Sequence, residues 1–130
     1  MSNPTFRSGP LTFVAAQKLE KFTLVAVNAE GKVAPAAATG GVFGAVTEKA
    51  DPANNALPNN IAVHIGPSTV KLKVAGGDAT GIKAGAAVFA AANGEVAASG
   101  TVQVGVAYAN GGADGRVLTV LNLPIANAGA

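Results

Sequence analysis

In "TVKLKV", residues 69–74, Val70, Leu72 and Val74 alternate with Thr69, Lys71 and Lys73. Successive side chains of a strand point to opposite faces, whereas on a helix these three apolar positions would be spread around the axis. The hexapeptide therefore reads as a half-buried strand. "TVQVGVAY", residues 101–108, predicts another, with Val102, Val104, Val106 and Tyr108 on one face. "LTFVAA" (11–16), "FTLVAV" (22–27), "IAVHI" (61–65), "AAVFAA" (86–91) and "RVLTVLNL" (116–123) extend the series. Turn chemistry separates them at Gly76-Gly77-Asp78, Asn93-Gly94 and Asp114-Gly115. Alanine is plentiful and favours helix, but glycine or proline interrupts nearly every candidate helix before three turns are complete. The chain is expected to be all-β, a small single-domain β-barrel or β-sandwich.

"RVLTVLNL" is apolar on both sides, with Val117 and Leu121 on one face and Leu118 and Val120 on the other. A strand covered on both faces reads this way. Leu118 and Val120 are accordingly candidates for a subunit interface.

Two stretches echo one another. Aligning Gly31 with Gly94 places Val25 on Val88, Val33 on Val96 and Ala34 on Ala97, and after a two-residue gap Gly44 falls on Gly105. Each copy reads as strand, tight glycine turn, short strand, loop, and a strand carrying a glycine. This predicts an internal pseudo-repeat, two halves completing one shared core. Around it lie an extended N-terminal arm (residues 1–10), the β domain (11–123) and a C-terminal tail (124–130). The polar segment "KADPANNALPNN" (49–60) is expected to be a surface loop.

The 130 residues suffice for one core, but five Phe and one Tyr are the only large rings, so each side chain buries little area and a lone copy has a thin core. Association would help. The formal charge is +2, with the basic residues scattered along the chain, and no aromatic residues interleave with Lys71 and Lys73 to stack bases, so no nucleic acid partner is expected. No cysteine is present, which excludes disulfides and thiolate chemistry. "MSNPTFRSGP" has no apolar signal core, and the longest apolar run, Ala86 to Ala92, is too short to span a bilayer. These features predict a soluble intracellular product without a membrane partner.

Catalysis needs ionisable groups held together, and this chain offers one His and seven dispersed acids. His64 alternates with Val63 and Ile65 and is expected to be an outward strand residue. "GGVFGAV" (40–46) lacks the Lys, hydroxyl and helix of a phosphate loop, and "GGDATG" and "GGADG" are isolated turns, not a tandem calcium array. No enzyme activity, cofactor or metal is predicted.

The succession "LTFVAAQKLEKFTLVAVNAEGKVAPA", "GVFGAVTEKA", "IAVHIGPSTVKLKV", "GIKAGAAVFAAANGEVA" and "VQVGVAYA" resembles the capsid cement, or head decoration, proteins of tailed bacteriophages, from about Leu11 to Leu123. Its most telling part runs from Ile82 to Phe89, then Asn93 to Val96, then Val104 to Ala107. The chain departs from that pattern at Ala86, where an acid or its amide is common, and at Gln103, where an apolar residue is usual. The resemblance implies a structural virion protein. It would bind the outer capsid surface as a homotrimer, with the major capsid protein as partner, and stabilise the expanded lattice. Assembly would take place in the host cytoplasm. In that setting the N-terminal arm is the candidate capsid contact, with Pro4, Phe6 and Arg7 as anchors. The competing expectation is a virion-surface module recognising a glycan or host receptor, for which Tyr108 and the 49–60 loop are the available features.

Overall fold

The computed structural model describes residues 10–39, 41–53 and 60–125. The fold is all-β, built as two curled, near-barrel sheets. Among the described residues ten strands follow in order: β1 (Leu11–Val14), β2 (Thr23–Val27), β3 (Val33–Pro35), β4 (Gly44–Val46), β5 (Asn60–Val63), β6 (Thr69–Lys73), β7 (Ala87–Ala90), β8 (Val96–Ala97), β9 (Gln103–Ala107) and β10 (Arg116–Leu121). A 3-10 turn, Ala92–Gly94, joins β7 to β8.

The echo in the sequence is a repeat in space, register for register. In the first unit β2 lies between β3 and β4, with Val27 opposite Val33 and Val25 opposite Gly44. In the second, β7 lies between β8 and β9, with Ala90 opposite Val96 and Val88 opposite Gly105. β1 pairs with β5, Phe13 facing Ile61, as β6 pairs with β10, Leu72 facing Val117. The bridge from β4 to β5 is Ala45–His64, and its counterpart joins Val106 to Val120. Each unit then closes with a parallel bridge, Ala15–Val33 in one and Val74–Val96 in the other. Both therefore run in the cyclic order first, fifth, fourth, second, third strand. Closing the sheet on itself removes most of the open edges that an isolated five-stranded sheet would present.

Turn chemistry repeats as well. The amide of Asn28 donates to the carbonyl of Lys32, as that of Ala91 does to Glu95, both at 2.8 Å. Gly31 and Gly94 sit in these turns at φ of 77° and 74°, a left-handed conformation in which a side chain would be strained. Phe22, at φ 63°, occupies the place that Gly85 fills in the second unit at φ 86°. The loop between β6 and β7 is longer than its counterpart and carries a local turn. Asp78 Oδ1 accepts from the Thr80 amide at 3.0 Å and from its hydroxyl at 2.8 Å, and these bonds, the amide first, hold the Asp78 carboxyl below its ordinary value of 3.8. A lowered carboxylate pKa favours the fold above the ordinary value, and the benefit is lost as pH falls through the lowered one. Amide exchange should show it: Thr80 protection is expected to fall only below pH 3.8, and Asp78→Ala to abolish that acid step.

The expectation of one shared core is corrected. The first unit has its own interior: Ala15, Leu19, Val25, Val33, Val46, Ala50, Ile61 and Val63, with Phe13 and Phe43 edge-to-face at 5.2 Å. The matching positions of the second unit, among them Leu72, Val74, Ile82, Val88, Val96, Val104 and Val117, form a second interior, and this one reaches across to Leu24, Ala36, Val42 and Ala45 on the outside of the first. A barrel of short strands encloses its own side chains, so duplication yields two cores and a seam. Thr119, the match of Val63, is fully buried and donates its hydroxyl to the Val117 carbonyl.

The expected alternation of β6 is present, Val70, Leu72 and Val74 being buried and Thr69, Lys71 and Lys73 exposed. That of β9 is corrected. Val104 is buried, while Val106 and Tyr108 are 40% and 66% exposed. The register slips between Val88 and Phe89, which face Gly105 and Gln103, so β9 carries one extra residue, and a bulge of this kind reverses the faces beyond it.

Candidate interaction surface

The seam between the units shows what kind of contact this fold makes. On its receiving side lies the outer face of β2 and β4, where Leu24, Ala36 and Ala45 are buried. On its giving side is the 3-10 turn of the second unit. The Gly94 amide donates to the Ala36 carbonyl at 2.7 Å, and a Cβ on Gly94 would collide with Thr23 and with the backbone of Leu24. The Lys73 amide donates to the Phe22 carbonyl at 3.0 Å, and the Arg116 guanidinium lies 4.8 Å over the Phe22 ring. Ile125 closes the seam, its amide donating to the Val42 carbonyl at 2.7 Å.

The outer face of the second unit is open. Val106 and Val120 stand opposite each other on β9 and β10, and the Tyr108 amide donates to the Leu118 carbonyl. Leu118 and Val120, the candidate interface residues, are half-buried on this face beside the exposed Val106 and Tyr108. Leu118 and Val120 are on the outer side because Val117, Thr119 and Leu121, which alternate with them, fill the interior. Val106 and Tyr108 join them only through the bulge, a feature that β9's own residue pattern does not announce.

The basic side chains that are scattered in sequence partly converge. Lys21, Lys49, Lys73 and Arg116 line an open cleft of about 440 Å³ with Glu20 as its acid. Glu20 pairs with Lys18 at 3.4 Å and Lys49 at 3.8 Å, and Lys73 with Glu95 at 3.5 Å. All are well exposed except the half-buried Glu95, so these pairs position charge more than they stabilise the fold. Lys73 is marked by its strand pattern and Arg116 is its register partner across the β6–β10 pair, whereas Lys21 and Lys49 are brought to them by the seam.

Pro4, Phe6 and Arg7 lie outside the described residues, as do residues 54–59 of the polar loop. At that loop's start Asp51 Oδ1 accepts from the Ala53 amide at 3.0 Å, and at its end Asn60 already belongs to β5. His64 is half-buried and exchanges both backbone hydrogen bonds with Ala45. Among the described residues, no three His, Cys, Asp or Glu are grouped as a metal site would need, and no helix is long and apolar enough to cross a membrane. No protein-family model and no curated protein matches the chain.

Proposed function

We propose that the protein is a structural component of a tailed-phage virion that binds the outer capsid surface as a trimer and holds the expanded major capsid protein lattice. One observation carries this reading beyond the resemblance in sequence. A closed, twinned β body leaves the outer face of its second unit apolar and open, at Val106, Tyr108, Leu118 and Val120. Such a face suits burial against other chains. The exposed cations around Lys49 and Arg116 would suit an acidic capsid surface.

The mechanism is mass action. A protein that binds the assembled lattice, and not its separated subunits, stabilises the lattice by an amount that grows as the logarithm of one plus its free concentration divided by its dissociation constant. Three attachment points on one trimer raise each other's effective concentration, so individually weak contacts hold together. No acid, base or nucleophile has a role in such a mechanism.

The test is a binding assay with empty expanded heads. Deleting residues 2–9 is expected to leave a soluble trimer that no longer decorates, if Pro4, Phe6 and Arg7 are the anchors; undiminished decoration would place the contact elsewhere on the body. Full-length protein that ignores heads but binds a glycan through Tyr108 would replace the capsid reading with the recognition module.

A further inference from the structure

We propose that the outer face of the second unit receives a second copy of this chain, head to tail, through that copy's β2–β3 turn, repeating between chains the contact that joins the two units within one. This names the partner surface of the oligomer proposed above and rests on that reading only for the number of copies.

The seam has two sides, and the fold contains each side twice. The giving side within the chain is Gly94 and Lys73. Its counterparts in the first unit, by register, are Gly31 and Val14. Around Gly94 there is no room for a methyl group, yet a Cβ on Gly31 would meet nothing within 4 Å, and Val14 is 40% exposed. The receiving side within the chain is Phe22, Leu24, Ala36 and Ala45. Its counterparts in the second unit are Gly85, Ala87, Ser99 and Val106. Leu24, Ala36 and Ala45 are buried, whereas Ala87 is half-buried, Ser99 is exposed, Val106 is 40% exposed and Gly85 has open space where a Cβ would be. Each free side is thus the unused copy of a side that the same chain already shows in contact.

Residue chemistry follows the same division. At the centre of the receiving side both copies are apolar, Leu24 and Ala45 inside the seam, Ala87 and Val106 outside it. Two positions depart from this. Ala36 is matched by Ser99, which differs by one hydroxyl and so adds little bulk beside an approaching turn. Val42, which Ile125 covers in the chain, is matched by Gln103, an exposed polar residue. The residue of the first unit that matches Ile125 is Thr69, which is committed to β6 and does not lie over Gln103, so polarity there is what an uncovered position requires. Tyr108, Leu118 and Val120 border the face and would widen the contact.

A giving surface and a different receiving surface make a heterologous contact, which either closes into a ring or grows into a filament. A ring of three chains would present six similar units around its axis.

Cysteine cross-linking tests this directly, because the natural chain has none. Lys32 borders the giving turn and Ala86 borders the receiving face, and both are exposed. Full-length Lys32→Cys/Ala86→Cys, treated with a short bismaleimide, is expected to yield covalent multiples ending in a closed trimer. Either single variant should give no more than like-to-like dimers. Val106→Asp in the double-cysteine background changes an exposed residue, so it is expected to fold while cutting the cross-link at least tenfold and bringing the native mass to one chain. An oligomer that persists in Val106→Asp with no Lys32–Ala86 link overturns the proposal, as does a single-chain mass for the natural protein at every concentration. Decoration of expanded heads is scored separately: a chain that links but ignores heads supports this docking and overturns the capsid reading. One that decorates without linking does the reverse.

Discussion

Alanine in place of Gly105 is expected to lower the free energy of unfolding by about 3 kcal/mol, at the upper end of what overpacking costs. The added Cβ would run into the carbonyl oxygen of Val120 and lie 2.9 Å from Thr119 Cγ2. Neither neighbour can give way. Val120 is backbone in a strand held on its far side by β6, and Thr119 is fully buried. Gly44→Ala should cost a similar amount, since its Cβ would stand 2.5 Å from the His64 carbonyl and 2.6 Å from Val63 Cγ1. Urea denaturation checks both, with a lower midpoint and an unchanged slope as the expected result. A neutral Gly105→Ala would mean that the fourth and fifth strands do not approach as closely as described.

Leu24→Ala is expected to cost about 3 kcal/mol, the middle of the range for a buried leucine. Leu24 is completely buried, but it points out of its own unit into the seam, so the cavity opens between units. Its counterpart gives the control. In the single-chain Val106→Asp background, Ala87→Leu enlarges the matching residue on the uncovered face, where surface substitutions stay within about 0.5 kcal/mol. Equal effects at the two sites would contradict the difference between the buried and the open face.

The strands were legible because a half-buried strand writes its burial into alternate residues, as Val70, Leu72 and Val74 do. The repeat was legible because the turns and close approaches demand glycine at Gly31, Gly94, Gly44 and Gly105, and those demands survive when the remaining side chains differ. Two things were hidden. The exposure of Val106 depends on one extra residue in β9, which shifts the alternation without changing the composition. The contrast between Ala45 and Val106 depends on what lies across from each, and no local pattern encodes an opposing surface. The cleft of Lys21, Lys49, Lys73 and Arg116 was hidden likewise, since its members come from separate strands and loops of both units.

The strand order carries a consequence for synthesis. β1 closes its unit only when β5 arrives beside it, yet the whole first unit is complete by His64, before any of the second has been translated. Domains synthesised first fold first. A ribosome-bound chain would therefore hold a finished first barrel with Leu24 and Ala45 still facing water, and the β7–β8 turn, on emerging, would act as the cover for a surface that was complete before it was made.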